Sequence, residues 1–270
     1  MDIERIIHVS DLHIGLTQKE SIRTHVIFEA IANKYPGVPV LITGDIVDSA
    51  EEEQFIEARK LADGLSKTNP ILMVPGNHDY AWKGNLVIDP DAWKNWIQYL
   101  GSPLGWNKPE VLWLETGSEP VGIDGLGVWT HHSCVFVGID SGDPKDRVIC
   151  ARGYVSDRLA TALKRILEDH VGKTRIVMLH HHPFSGGFFT ALSGAELLLE
   201  AVKNNCELLI FGHDHNYGMW IGRDNVPLIV ASHKCTTRMS GDCYMYTMVE
   251  MQDPETTNRL PRQWLEVVEG

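Results

Sequence analysis

Five short apolar runs in this chain each lead directly into a group of Asp, Asn or His residues, and no other feature limits the fold as strongly. Each run has the length and composition of a buried strand. The runs and the groups that follow them are residues 6–9 before Asp11-Leu12-His13, 40–42 before Gly44-Asp45, 71–74 before Gly76-Asn77-His78-Asp79, 176–179 before His180-His181-His182-Pro183, and 208–211 before Gly212-His213-Asp214-His215. In open α/β sheets, ligands bind beyond the carboxyl ends of the strands. The five polar groups therefore predict one shared site.

Strands and helices are predicted to alternate up to Gly218, and only strands are predicted after it. Apolar spacing predicts a helix over residues 156–170, and Asp89-Pro90 indicates a helix start near residue 90. Further helix starts are indicated by capping boxes, which run from Thr17 to Glu20, from Ser49 to Glu52 and from Ser193 to Glu196. The later strands are predicted over residues 219–221, 227–231, 244–251 and 263–268. Such alternation is typical of α/β folds.

The composition fits a globular protein and disfavours a dedicated nucleic-acid binder. Of the 270 residues, 43% are hydrophobic, and the formal net charge is −12. A nucleic-acid binder usually carries a basic face, whereas bound metal ions would still let an acidic chain hold a small phosphorylated substrate. The five cysteines form no C-x-x-C pair, which suits a reducing compartment. Because the chain starts without a leader-like apolar region and has no run of the ~20 residues that span a bilayer, we expect a cytoplasmic protein without a membrane partner.

The order of the motifs resembles that of the calcineurin-like metallophosphoesterase superfamily. Asp-x-His, Gly-Asp-x-x-Asp, Gly-Asn-His-Asp, His-x-Pro and Gly-His-x-His follow one another between residues 11 and 215. Within the superfamily, the chain looks most like the class III cyclic-nucleotide and glycerophosphodiester phosphodiesterases, because of the His-x-Pro motif and the Arg152-Gly153-Tyr154 turn. The resemblance implies a four-layer α/β/β/α sandwich, in which two mixed sheets are flanked by helices. We expect one such domain over residues 1–270.

The same resemblance implies a centre of two transition-metal ions. It places Asp11, His13 and His215 on one ion, Asn77, His181 and His213 on the other, and Asp45 between them as a bridging carboxylate. Two ions about 3.5–4 Å apart stabilise the attacking and leaving oxygens of a phosphate ester and lower the pKa of the attacking water. The mixture of nitrogen and oxygen ligands suits manganese, iron or zinc.

His78 and Asp79 are the predicted catalytic residues. Adjacent side chains diverge, so Asn77 can bind metal while His78 reaches the substrate. An imidazole with a pKa of about 6.5 can protonate a leaving alkoxide, and the resemblance implies this role for His78. Asp79 is predicted to orient the His78 ring.

Two neighbouring assignments leave alternatives open. Asp48 directly precedes the Ser49 capping box, so we interpret it as structural rather than as a ligand. In the run of three histidines, the His-x-Pro pattern selects His181, and His180 and His182 remain alternatives.

An excursion over about residues 80–113 is rich in tryptophan and follows His78 directly. It contains Trp82, Trp93, Trp96, Trp106 and Trp113, five of the eight tryptophans. We favour a small hydrophobic cluster, with an aromatic wall that stacks a nucleobase as the alternative. His233, which precedes Lys234, is likewise interpreted as an ordinary histidine, with a place in the pocket wall as the alternative.

The sequence thus predicts a dimetal phosphodiesterase that acts on small phosphorylated substrates such as cyclic nucleotides. A phosphomonoesterase or a nuclease of the same superfamily is the alternative, because the string from Asp11 to Gly15 also resembles the DNA-repair nuclease branch. The acidic charge counts against DNA as a partner. A non-catalytic binding module is disfavoured because the ligand set is intact. A homo-oligomer is left open.

Overall fold

The computed structural model describes the structure of residues 5–82, 87–88, 91–105, 112–114, 125–131, 133–142, 151–237, 243–250 and 262–269. In these ranges the helices are α1 (Gln18–Lys34), α2 (Glu52–Ser66), α3 (Ala92–Tyr99), α4 (Asp157–Asp169) and α5 (Ala195–Val202). None of the described helices has the length and apolar character needed to cross a membrane.

The strands begin at the first apolar run and continue to the end of the described chain. They are β1 (Arg5–Val9), β2 (Val40–Thr43), β3 (Ile71–Val74), β4 (Ala81–Trp82), β5 (Val87–Ile88), β6 (Leu112–Leu114), β7 (Leu126–His131), β8 (Cys134–Ile139), β9 (Gly153–Tyr154), β10 (Thr174–Met178), β11 (Leu192–Ser193), β12 (Leu208–Phe211), β13 (Gly218–Ile221), β14 (Leu228–Ala231), β15 (Cys243–Glu250) and β16 (Arg262–Glu269). All five apolar runs and all four strands predicted after Gly218 are confirmed.

Two large mixed sheets contain all five of the strands that precede the polar motifs. One sheet has the order β16-β15-β1-β2-β3, and the other has the order β13-β14-β12-β10-β8-β7-β6. Strands β1, β2 and β3 are parallel to one another, as are β8, β10, β12 and β14. The carboxyl ends of each parallel group therefore lie at one edge of their sheet, where the polar motifs begin.

Three apolar layers separate the helices and sheets. Successive residues of a strand point to opposite faces, so in β1 Ile7 packs toward α1 and α2 whereas Ile6 packs toward the other sheet. Ile176 of β10 meets Ile6 in the layer between the sheets, and Val177 packs on the outer face with α4 and α5. The order of layers is helices, sheet, sheet, helices. The predicted four-layer α/β/β/α sandwich is confirmed.

Two of the predicted helix starts are correct. Thr17 caps α1, and its Oγ1 accepts a hydrogen bond from the Lys19 backbone N at 3.2 Å. Ser156 caps α4 and accepts from the Leu159 N at 3.1 Å. A side-chain oxygen at this position satisfies a backbone N–H that has no partner inside the helix.

The predictions that capping boxes at Ser49 and Ser193 begin helices are wrong. Helix α2 begins after Glu51, because the Ser49 backbone N–H instead donates to the Gln54 Oε1 at 2.8 Å. Helix α5 begins after Gly194, whose φ is 77°, because Ser193 belongs to β11 and pairs with Tyr154. Asp89 and Pro90 lie outside the described residues, and α3 begins at Ala92.

The described tryptophans of the 80–113 excursion support a hydrophobic cluster. Trp96 is fully buried in the layer between the helices and the first sheet. Trp93 stacks on it with 5.7 Å between ring centroids, and Tyr80 stacks on Trp93 at 6.0 Å. These two tryptophans therefore contribute to the core. Trp106 and the side chains of Trp82 and Trp113 lie outside the described residues.

Candidate metal centre

The loops after β1 and β2 are bonded to each other, and this pairing positions the first ligand candidates. The Asp11 N–H donates to the Gly44 carbonyl at 3.1 Å, and the His13 N–H donates to the Asp45 carbonyl at 2.9 Å. The loop after β12 approaches from the second sheet, where the His213 N–H donates to the Asp11 Oδ2 at 3.3 Å. Both sheets thus contribute to one centre.

Five of the predicted ligands have left-handed backbones, which are costly for residues other than glycine. The φ angles are 57° at Asp11, 49° at His13, 50° at Asp45, 77° at His213 and 55° at His215. Each such conformation costs on the order of 1–3 kcal/mol and persists only where the surroundings determine it. Strain of this kind clusters at functional sites, and it is concentrated here at the positions selected from the motifs.

The first cluster contains Asp11, His13 and His215, as the motifs predicted. Their ligand atoms all lie within 4.8 Å of one another. The His215 Nε2 is 3.3 Å from the Asp11 Oδ1 and 3.4 Å from the His13 Nε2. Three ligand atoms this close together can bind one metal ion.

The second cluster contains Asp45, Asn77, His213 and a histidine of the fourth motif. That histidine is His180, whose Nε2 lies 3.3 Å from the Asp45 Oδ2, 3.2 Å from the Asn77 Oδ1 and 3.1 Å from the His213 Nδ1. The same Asp45 Oδ2 is 3.9 Å from the His13 Nε2 of the first cluster. The Asp45 carboxylate therefore lies between the clusters, where a bridging ligand is expected.

His181, which the His-x-Pro pattern selected, has different contacts. Its ring is fully buried, and its Nδ1 lies 2.9 Å from the Ser141 Oγ. Among the described residues, the groups with metal-ligand geometry contain His180 and not His181. The pattern counts residues back from Pro183, but what brings a side chain to Asp45 is its position after the end of β10 at Met178.

The hydrogen bonds of His180 direct its Nε2 toward the other candidate ligands of the second cluster. Its Nδ1 lies 2.7 Å from the Thr43 carbonyl, so this nitrogen carries the proton. Its Nε2 then faces the Asp45 and Asn77 oxygens, which are both acceptors. Burial lowers the pKa of His180 but the Asp45 carboxylate raises it, and the result is about 9. A proton or a metal ion would satisfy this nitrogen, so the donor set fits a metal.

The two carboxylates of the clusters remain ionised despite their burial. Burial raises the pKa of Asp11, but the hydrogen bond with His215 and the charge of His180 outweigh it, and the pKa falls to about 2. Burial also opposes ionisation of Asp45, but His180 and His78 hold its pKa well below the usual value. Metal ligation requires deprotonated carboxylates, and these two meet that requirement.

His78 and Asp48 form a third group beside the first cluster. The His78 Nδ1 lies 2.7 Å from the Asp48 carbonyl, and the Asp48 Oδ1 is 3.7 Å from the same nitrogen. The Asp48 Oδ1 is also 3.7 Å from the His13 Nδ1. Asp48 thus faces the centre through its Oδ1, while its Oδ2 accepts a hydrogen bond from the Ser49 Oγ at 2.8 Å. Its spacing from Asp45 in the Gly-Asp-x-x-Asp motif was the available signal. Its interpretation as a structural residue rather than a ligand stays a prediction.

Asp79 has a structural environment, and the prediction that it orients His78 is wrong. Its Oδ1 accepts from the Ile46 and Val47 backbone N–H groups at 3.0 and 2.9 Å. Its Oδ2 accepts from the Gly76 N–H at 2.7 Å. Burial and the nearby Asp45 carboxylate raise the pKa of Asp79 to about 7. Asp79 thus fastens the loops after β2 and β3 together, and the carboxylate that lies 3.7 Å from the His78 ring is that of Asp48.

Known proteins share this architecture. The family model for calcineurin-like phosphoesterases matches residues 4–217. A Staphylococcus aureus protein provisionally assigned as a 5′-nucleotidase, and crystallised with α-ketoglutarate, is 14% identical with a TM-score of 0.55; the alignment covers 98% of this chain and 54% of that one. This chain therefore spans about half the length of that neighbour.

Two other neighbours match over nearly their full length. GAP50, the anchor in the inner membrane complex of Plasmodium, is 13% identical with a TM-score of 0.52, over 98% of this chain and 89% of that one. The calcineurin-like phosphoesterase YfkN from Bacillus subtilis is 12% identical with a TM-score of 0.50, over 98% and 90%. At these identities the likeness concerns the fold alone. The family match covers most of the sequence, and the chain belongs to the calcineurin-like phosphoesterase family.

Proposed function

We propose that this chain is a dimetal phosphodiesterase that hydrolyses small diesters such as cyclic nucleotides. The observation that carries the proposal is the convergence of two ligand clusters on the Asp45 Oδ2, with His78 alongside. The first ion would be held by Asp11, His13, Asp45 and His215, and the second by Asp45, Asn77, His180 and His213. Bound there, the two ions would supply the positive charge that activates water and stabilises the anionic transition state.

The chain's own contribution to proton transfer would come from His78. Because its Nδ1 donates to the Asp48 carbonyl, its Nε2 is the nitrogen left to deliver a proton to the leaving oxygen. The Asp48 Oδ1 lies 3.7 Å from the His78 Nδ1. The side chain of His78 is 20% exposed, whereas that of His180 is fully buried, so a substrate can reach His78.

The assignment to the class III branch is supported by the turn at Arg152-Gly153-Tyr154. In this turn, Gly153 lies against the fourth motif so closely that an added Cβ would be 2.5 Å from the His181 Cγ. The turn and the His-x-Pro motif, which together suggested the branch, thus pack on each other beside the second cluster.

The substrate class can be tested with protein reconstituted with Mn²⁺ and assayed for metal content. The substrates are bis-p-nitrophenyl phosphate, 3′,5′-cyclic AMP, p-nitrophenyl phosphate and single-stranded DNA. We expect both diesters to be hydrolysed with a higher kcat/KM than the monoester, and DNA to be the poorest substrate. Preference for the monoester would indicate a phosphomonoesterase, and preference for DNA would indicate a nuclease. Two bound ions with no turnover of any substrate would indicate a binding module.

A further inference from the structure

The segment after β14, residues 232–237, lies at the same sheet edge as the Gly-His-x-His motif. Strands β12 and β14 are parallel, and their last residues, Phe211 and Ala231, are paired. The segment therefore leaves the sheet beside His213 and His215. It contains Lys234, which belongs to no motif of the metal centre.

Backbone and side-chain hydrogen bonds hold this segment against the first motif. The Ser232 N–H donates to the Phe211 carbonyl at 2.8 Å, and the Cys235 N–H donates to the Ser10 carbonyl at 3.2 Å. The Thr236 Oγ1 donates to the Leu12 carbonyl at 3.3 Å. The backbone of Lys234 is thus fixed to the chain segments that position Asp11, His13 and His213.

Lys234 directly precedes the residue whose backbone N–H bonds to the Ser10 carbonyl, next to the metal-ligand candidate Asp11. Lys234 is half-buried, and no described side chain forms an ion pair with it. Its neighbour His233 is almost fully buried. Of this pair, Lys234 is therefore the residue that a bound molecule can reach.

A cationic side chain beside a metal centre cannot help to bind the metal ions. An ammonium group has no lone pair, and it repels other cations. This repulsion would destabilise the metal-loaded centre until a bound anion offsets it. A phosphate group brings that negative charge, and it accepts hydrogen bonds from ammonium.

We propose that Lys234 is an anion-binding residue of this site, and that its ammonium group pairs with a non-bridging oxygen of the substrate phosphate on the side of His215. This inference rests on the proposed function, because it assigns a phosphate to the same centre. The ligand class is a tetrahedral oxyanion, either the phosphate of an ester or inorganic phosphate.

The test is phosphate binding by the metal-loaded protein, measured by calorimetry with inorganic phosphate. Lys234→Met should weaken binding by roughly 10–100-fold, as expected for the loss of a charged hydrogen bond. It should also reduce the salt dependence of binding. Lys234→Arg should retain most of the affinity. Lys164→Met, at an exposed position on α4, should bind phosphate like the wild type, and all variants should retain two metal ions.

Phosphate binding does not need turnover, so the two proposals can fail separately. Loss of phosphate affinity in Lys234→Met with unchanged metal content supports the inference, even if no ester is hydrolysed. Wild-type affinity in Lys234→Met, loss of metal in that variant, or a wild-type protein that binds no phosphate would overturn it. Lys234→Gln provides a second neutral side chain, should the Met variant fail to fold.

Discussion

At the residue scale, His78 and the ligand histidines differ in what holds them. His78 bonds to the Asp48 carbonyl at 2.7 Å, and its own backbone N–H donates to the Asp45 Oδ1 at 2.9 Å. An alanine at position 78 keeps that backbone bond and loses only the imidazole. The side chain can therefore be removed without disturbing the Asp45 carboxylate.

We expect His78→Ala to retain two metal ions and to lose rate by ~10²–10⁴. The loss should be greater for an alkyl diester than for a nitrophenyl diester, because an alkoxide of high pKa needs a proton more than nitrophenolate does. Steady-state kinetics with both substrates and metal analysis of the variant measure this. An equal loss on both substrates, or a loss of metal, would exclude His78 as the leaving-group acid.

The neighbouring histidines His180 and His181 allow a direct test of the ligand assignment. Only His180 lies within 3.3 Å of the Asp45 carboxylate, whereas His181 contacts Ser141. We expect His180→Ala to lose one of the two ions and His181→Ala to retain both, as measured by metal analysis at saturating Mn²⁺. The reverse result would restore His181 as the ligand.

The burial of His8 predicts how the stability of the fold depends on pH. Burial lowers the pKa of His8 from 6.5 to about 3, so the ring stays neutral in the fold, where its Nε2 lies 2.8 Å from the Thr43 Oγ1. The unfolded chain takes up a proton below pH 6.5. The contribution of His8 to stability is therefore complete above pH 6.5 and is lost as the pH falls toward 3.

In EDTA, the wild type should lose more stability between pH 7.5 and pH 5 than His8→Gln does. The expected difference is about 2 kcal/mol, from 1.36 kcal/mol per pH unit over the range below 6.5. Urea unfolding of both proteins at the two pH values measures it. If both proteins respond equally to pH, His8 does not titrate in this way.

At the element scale, the loops after β2 and β3 approach each other so closely that a glycine is required. A Cβ on Gly76 would lie 2.2 Å from the Asp45 Oδ1 and 2.4 Å from the Asp45 N. Asp79 fastens the same two loops through three backbone N–H groups. The position of the bridging carboxylate thus depends on the packing of one loop on another.

We expect Gly76→Ala to displace the Asp45 carboxylate and to weaken the binding of both ions. The matched control is Gly64→Ala in α2, where an added Cβ would meet nothing within 4 Å. That change should leave metal binding unaltered and stabilise the helix by about 0.5–1 kcal/mol. Metal titrations and urea unfolding of both variants provide the comparison. Normal metal affinity in Gly76→Ala would contradict the inference that the close approach of Gly76 to Asp45 positions the carboxylate.

At the scale of the whole molecule, the candidate metal centre joins the two sheets. Asp11, Asp45 and Asn77 follow strands of one sheet, and His180 and His213 follow strands of the other. Metal ions bound there would link the carboxyl edges of both sheets. The unfolded chain lacks this arrangement, so the binding free energy should add to the stability of the fold.

We expect Mn²⁺ at about 100 times its dissociation constant to raise the free energy of unfolding by about 2.7 kcal/mol per ion. Asp45→Asn should show little of this increase, because it weakens the ligand shared by both ions. Thermal or urea unfolding with Mn²⁺ and with EDTA measures the effect. An equal increase in Asp45→Asn would contradict a bridging role.

The sequence by itself determined the strands, the order of the motifs and most of the residues at the centre. Apolar runs bounded by polar motifs specify buried strands through local composition alone. Thr17 was likewise recognised as a cap because capping depends on neighbours within one helical turn. Asp11, His13, Asp45, Asn77, His213 and His215 were predicted from the motifs, and the structure brings them together.

Only the tertiary structure decided the contacts that join distant segments. His180 was distinguished from His181 by which ring reaches Asp45 across the gap between two sheets. Asp48 rather than Asp79 provides the carboxylate beside the His78 ring. The Asp79 oxygens instead accept hydrogen bonds from backbone N–H groups of the loops after β2 and β3. The segment that contains Lys234 was placed at the same sheet edge as the Gly-His-x-His motif by the parallel pairing of β12 and β14. Each choice depends on side-chain direction and on long-range strand pairing, which motif spacing does not encode.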